Sequence, residues 1–168
     1  DIVTPFPRMT YADAMDKYGS DKPDTRYGLE FVNISDIVAD CGFKVFADST
    51  KPGSSVRGIN VVGGADHFTR KAISHLEDHA KTYRAKGLAW MKITDEGITS
   101  PIAKFFTEEE LAKITGAMDA KSGDLLLFVA DKDPVVYDAL GQVRIAVADK
   151  LGLADPNQFN LLWVTEFP

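Results

Sequence analysis

Leu125-Leu126-Leu127-Phe128-Val129-Ala130 is an unbroken apolar run, six residues long, reached through the turn Ser122-Gly123-Asp124. A run this short and this continuous reads as a central strand buried in a sheet. The residues after it are helical in pattern. Asp133 stands where a cap belongs, with Pro134 in the first turn. Val136, Leu140, Val143 and Val147 then fall on one face, and Gly152 ends the helix. A buried strand handing over to a helix with one apolar face sets the expectation for the chain as a whole.

Working outward toward the N-terminus, the same alternation recurs. Thr107 and Glu110 form a Thr-x-x-Glu capping box, opening a helix with Leu111, Ile114 and Met118 inward. Leu88–Ile93 reads as a strand, and Asp95-Glu96-Gly97 turns into Ile98-Thr99-Ser100. Thr69 caps a helix that runs to about Ala85 on the stripe Ile73, Leu76, Ala80 and Tyr83, with Gly87 as its C-cap. Arg57–Val62 is a strand ended by Gly63-Gly64. Ser49–Ser55 is a flexible loop, and Val45–Ala47 a short strand. Phe31–Gly42 gives a short strand and then a helix capped near Ser35. Thr10 caps a helix over Tyr11–Tyr18 that stops at Gly19, and Pro23 in Ser20-Asp21-Lys22-Pro23-Asp24 forbids its continuation. Pro5 and Pro7 exclude a helix over residues 1–8. Leu161–Val164 is the last strand. Together these elements predict a two-layer domain of sheet against helices.

Composition narrows the function classes. The 168 residues are 45% hydrophobic and 26% charged, an ordinary globular balance. No apolar run approaches the roughly 20 residues of a membrane helix. The opening Asp1-Ile2-Val3-Thr4-Pro5 has neither the basic start nor the apolar stretch of a signal peptide, and the absent initiator Met suggests an excised piece. A single cysteine, Cys41, excludes an internal disulfide framework and fits a reducing compartment. The net charge of −6 leaves no overall basic surplus, so any contact with nucleic acid must be local.

Motifs for chemistry are sparse. Val62-Gly63-Gly64-Ala65 lacks the Lys-Ser/Thr ending of a phosphate loop and reads as a turn. His75 and His79 share a helix face at a spacing able to chelate a metal, yet no cysteine pair or carboxylate cluster completes a site, and surface histidines are the plainer reading. Glu108-Glu109-Glu110 suits a helix N-terminus. Ser100 stands before Pro101 outside any nucleophile elbow. Arg70, Lys71, Lys81, Arg84 and Lys86 gather along one helix. They form either a phosphate-contacting face or a solvated one balanced by Glu77 and Asp78.

A resemblance to a known family adds what spacing does not. Pro5-Phe6-Pro7-Arg8-Met9-Thr10-Tyr11-Ala12-Asp13-Ala14-Met15, then Tyr18-Gly19-Ser20-Asp21-Lys22-Pro23-Asp24-Thr25-Arg26, closely resembles a stretch of bacterial-type aspartyl-tRNA synthetases. Gly63-Gly64-Ala65, Lys86-Gly87-Leu88-Ala89, Ser100-Pro101-Ile102-Ala103-Lys104-Phe105 and Leu162-Trp163-Val164-Thr165-Glu166-Phe167-Pro168 continue the likeness in order. The resemblance implies three parts. Residues 1–27 are a segment of the class II catalytic domain, residues 28–152 the GAD insertion domain, and residues 153–168 the return segment. It implies an α+β sandwich, a mainly antiparallel sheet packed against helices. The parent enzyme would be a cytoplasmic homodimer without membrane contact that activates aspartate with ATP and Mg and transfers it to tRNA. No Phe-Arg-x-Glu or Gly-rich Arg motif of the family's active site occurs in this chain. The resemblance therefore carries over no catalytic, substrate-binding or metal residue, and no cofactor for the fragment itself. It leaves Arg70, Lys71, Lys81 and Arg84 as tRNA-contact candidates, and Ser20, Asp21 and Lys22 as a junction near the parent's active site. Two alternatives stand beside it: a free-standing tRNA-binding module, and a packing spacer without a ligand.

Overall fold

The computed structural model describes residues 5–168, so the reading of Asp1–Thr4 lies outside it. In chain order the elements are β1 (Arg8–Thr10), α1 (Tyr11–Tyr18), β2 (Val32–Asn33), α2 (Ser35–Val38), α3 (Lys44–Ala47), β3 (Ser54–Val61), α4 (Arg70–Thr82), β4 (Ala89–Thr94), β5 (Gly97–Thr99), α5 (Glu108–Ala117), β6 (Leu125–Lys132), α6 (Asp133–Leu151) and β7 (Trp163–Thr165). Strands β2-β3-β6-β4-β5 form one sheet, antiparallel throughout. The fold is an α+β sandwich.

β6 is central. It pairs with β3 along its whole length and with β4 from Leu125 to Phe128. Alternate side chains leave a strand on opposite faces. Leu125, Leu127 and Val129 join a core with α4 and α6, while Leu126 and Phe128 join another with Phe46, Met91, Phe106 and Ile114. The sheet is therefore covered on both sides, with α2, α3 and α5 forming a third layer where two layers are expected from the sequence. Both-face burial is why the β6 run is unbroken although its neighbours are antiparallel.

Caps fix the helices where the sequence places them. The Thr10 hydroxyl accepts the Asp13 N–H at 3.1 Å and the Thr69 hydroxyl accepts the Ala72 N–H at 3.1 Å. Thr107 and Glu110 exchange both bonds of the capping box. Gly19 and Gly152 close α1 and α6 in left-handed conformation. Val136, Leu140, Val143 and Val147 are wholly buried.

Several expectations need correction. Val45–Ala47 is helical, since Phe43 starts a turn in which its carbonyl accepts the Phe46 and Ala47 N–H groups. A single turn offers no periodicity to read. β3 starts at Ser54 inside the expected loop because Ser54 and Ser55 pair with Lys132 and Asp131. α4 ends at Thr82. Its closing turn bonds the Arg84 N–H to Lys81 and the Ala85 N–H to Ala80, with Arg84, not Gly87, in the left-handed position (φ 77°). Asp133 is the first helical residue of α6 and caps nothing through its side chain. Lys132 occupies the cap position.

Outside the main sheet, β1 and β7 pair in parallel, Arg8 opposite Trp163 and Thr10 opposite Thr165. The final strand begins two residues later than Leu161 for this reason. α1 packs on α6 through glycines: a Cβ at Gly19 would overlap the Tyr137 carbonyl oxygen, and one at Gly141 would lie 3.4 Å from that of Tyr18. None of the described helices is long and apolar enough to cross a membrane.

Candidate nucleic-acid interface

Helix α4 presents the candidate cations. Positions 70, 74, 77 and 81 recur at helical spacing on one outer face, whereas Lys71 points about 100° away. Lys81 sits 3.8 Å from the Glu77 carboxylate, and Arg84, beyond the helix end, donates to Asp138 of α6 at 2.8 Å. Among the described residues Arg70 and Lys71 enter no ion pair. The four candidates thus share neither one face nor one state: Lys81 and Arg84 are tied internally, and Arg70 and Lys71 face solvent on different sides of α4 with their charge unmatched. Holding Arg84 in left-handed backbone costs about 1–2 kcal/mol relative to glycine.

The Arg70 guanidinium lies over the Trp90 ring at 5.5 Å. Beside it opens a cavity of about 450 Å³ between α3, α4, β4 and the turn at Pro101-Ile102. Glu77 borders it, its carboxylate accepting the Leu88 N–H at 3.0 Å. Phe43, Trp90 and Lys104 do not stand out as site residues in the sequence. The cation beside an aromatic in Lys104-Phe105 is the only signal there, and it is too common to use alone.

Ser20, Asp21 and Lys22 border a second, more polar cleft of about 410 Å³ between α1 and α6, together with Tyr18, Asp24 and Arg144. The Ser20 hydroxyl accepts the Lys22 N–H at 3.0 Å, which fixes the turn. Behind the cleft, two buried arginines hold the leading segment to the main body. Arg57 of β3 donates to the Asp16 carboxylate and backbone carbonyl, and its guanidinium lies over Tyr137 at 5.1 Å. Arg144, 2% exposed, donates to the carbonyls of Asp24 (2.7 Å), Leu29 (3.0 Å) and Gly28 and lies between the Tyr18 and Tyr27 rings, 4.7 and 4.5 Å from their centres. Burial pulls the Arg144 pKa down from its ordinary value. Burial, then the hydrogen bond to Glu30, pushes Tyr18 up to about 12. The hydrogen bond from Arg26 holds Asp24 below the usual carboxylate range. Neither arginine has a readable partner in sequence, since Arg57 bonds Asp16 41 residues away and Arg144 bonds backbone carbonyls more than a hundred residues away.

Asp124 is structural. Burial disfavours its charge, but the N–H groups of Gly63 and Lys121 and the Asn60 amide outweigh that and lower its pKa, pinning the Gly63-Gly64 turn. His75 and His79 gain no further ligand: among the described residues no group of three or more His, Cys, Asp or Glu converges. His79 instead packs edge-on to Tyr83 at 5.4 Å. Cys41 is buried and donates to the Phe43 carbonyl at 3.4 Å.

These features define an α+β sandwich module with a cationic helix edge and a clasped pair of flanking segments. Residues 46–140 match the GAD domain model, and the chain belongs to that family. It is 55% identical over 169 residues to the aspartate–tRNA ligase of Ruminiclostridium cellulolyticum, covering 100% of this chain and 28% of that protein. It is 55% identical over 168 residues to the aspartate–tRNA ligase of Clostridium perfringens strain SM101 (99% and 28%) and 52% identical to the aspartate–tRNA(Asp/Asn) ligase of Bacillus cytotoxicus (100% and 28%). The chain therefore spans 28% of the length of these relatives. A solved structure, a hypothetical protein from Pyrococcus horikoshii OT3, is 17% identical and covers 62% of this chain and 59% of its own, with a TM-score of 0.43, too low to add to the fold described above.

Proposed function

We propose that this chain is the GAD-bearing internal part of an aspartate–tRNA ligase. The parent is a cytoplasmic homodimer that activates aspartate with ATP and Mg and attaches it to tRNA. The observation that carries the reading is the 55% identity sustained along all of this chain to proteins of that name. The part itself is non-catalytic. It presents the α4 edge, with Arg70, Lys71, Lys81 and Arg84, to tRNA, and it places Ser20, Asp21 and Lys22 at the junction with the catalytic domain. The division into residues 1–27, 28–152 and 153–168 belongs to the same proposal, supported by the β1–β7 clasp that brings the two flanking segments together.

A second reading, a packing spacer with no ligand, is favoured by the internal ion pairs of Lys81 and Arg84 and by the net charge of −6. Charge reversal at all four cations in the parent enzyme separates the two. A tRNA-facing edge predicts a raised KM for tRNA with aspartate-dependent pyrophosphate exchange unchanged. A spacer predicts no change in either. Pyrophosphate exchange by the isolated chain would sink the non-catalytic assignment.

A further inference from the structure

We infer that the cavity between α3, α4 and β4 receives one unstacked nucleobase of a single-stranded RNA segment, with Arg70 and Lys86 on the adjoining phosphates. The inference rests on the tRNA-facing reading of α4 and adds to it the chemistry of one site.

The cavity exists because the sheet is incomplete there. β4 meets β6 only as far as Ala89 opposite Phe128, so the β6 edge beyond is uncovered, and Ala130 lies at the base of the cavity with buried Phe128 beneath it. Its lining is mostly apolar, with Phe43 and Pro101 accessible and Phe46, Leu88, Trp90 and Ile102 largely buried around them. About 450 Å³ is within the usual range for a small-ligand site, roughly 300–1,000 Å³.

Charge selects the occupant. Arg70 and Lys86 stand on the rim, and the one acid there among the described residues, Glu77, is engaged by the Leu88 N–H and by Lys81. Arg70 is backed by the Trp90 ring and has no acidic partner among the described residues, so its guanidinium offers a planar cationic surface. The aromatic lining continues outward. Phe43 stacks on Phe105 at 5.5 Å and 17°, Phe105 is 41% exposed, and Lys104 lies over its ring at 5.3 Å. Flat apolar surfaces alternating with unmatched cations suit a ligand that is flat, aromatic and polyanionic. Unstacked bases on a phosphate backbone have that character. An apolar peptide would fill the walls and leave Arg70, Lys86 and Lys104 without partners.

The test uses the whole chain carrying Trp163→Phe, which leaves Trp90 as the sole tryptophan. Its fluorescence is followed during titration with a short oligoadenylate and with an abasic ribose-phosphate oligomer of equal length. The oligoadenylate should change Trp90 emission and bind about 10-fold more tightly than the abasic oligomer, the equivalent of one stacked base. Ser74→Phe, at an exposed α4 position on the cavity wall, should erase that difference without lowering the melting temperature, whereas Lys71→Glu should weaken both oligomers alike. Equal binding of both oligomers with Trp90 silent would overturn the cavity and leave the phosphate-contacting edge standing. Binding of neither would overturn both. A Trp90 response to an apolar peptide but not to RNA would reassign the cavity and overturn the proposal.

Discussion

Removing Arg144 should loosen the leading segment from the body of the domain. The side chain is 2% exposed and holds the carbonyls of Asp24, Gly28 and Leu29 while filling the space between two tyrosine rings. In Arg144→Ala three carbonyls lose a charged donor and both cation–ring contacts vanish. Hydrogen bonds to a charged group are worth about 1.5–3 kcal/mol each, and a desolvated cation–ring contact up to about 2 kcal/mol. These do not add, because the carbonyls regain water once the segment moves. Truncation at a buried charged hub costs about 3–5 kcal/mol in all. At about 2–4 °C per kcal/mol for a chain of this size, the melting temperature should fall by about 10 °C. Circular dichroism melts measure it, and trypsin gives an independent reading: the Arg26-Tyr27 bond lies in the released segment, so cleavage there should speed up markedly before the rest of the chain is touched. Arg144→Lys should recover less than half of the loss, since one ammonium cannot span three carbonyls and two rings. A fall under about 3 °C, or unchanged cleavage after Arg26, would refute the assignment of Arg144 as the clamp.

Other contacts make further predictions. Gly19→Ala should destabilise by about 2–5 kcal/mol, combining left-handed strain with overlap of the new Cβ and the Tyr137 carbonyl; a calorimetric melt checks it, and a neutral result would mean α1 is not seated on α6. Arg84→Gly should melt above Arg84→Ala in parallel scans, because both lose the Asp138 pair but only glycine relieves φ 77°. At alkaline pH, stability should decline as the pH rises from about 10 to 12. The folded pKa of Tyr18 lies above its unfolded value, so the neutral phenol favours the fold below that window and the advantage is lost through it. Urea titrations at the two ends of this range should show a smaller decline for Tyr18→Phe than for the unsubstituted chain.

How much the sequence discloses depends on the range of the forces involved. Caps and stripes are local, so Thr10, Thr69, the Thr107–Glu110 box and the α6 stripe are readable from residue spacing alone. The β6 run reveals burial but not that both faces are covered, since continuous hydrophobicity does not say what lies on each side. α3 escapes because one turn has no period, and the closing turn of α4 escapes because Arg84 takes a conformation usually left to glycine. The cationic edge is half legible. Charges are visible in sequence, whereas the pairings of Lys81 with Glu77 and Arg84 with Asp138 decide which of them are spoken for. The cavity is not legible at all, because Phe43, Arg70, Trp90 and Pro101 come from four separated segments joined by the sheet. The arginine clamps hide for a similar reason: Arg144 stands among Leu140, Val143 and Val147, and its partners are backbone carbonyls more than a hundred residues away.

Contact between the α4 edge and tRNA is tested most directly by titrating this chain with tRNA-Asp at low and at physiological salt. Such contact predicts binding that weakens with salt on a shallow slope, reflecting a few phosphate contacts, and that charge reversal at Arg70 and Lys71 abolishes. Binding that ignores those substitutions, or none at low salt, would contradict it.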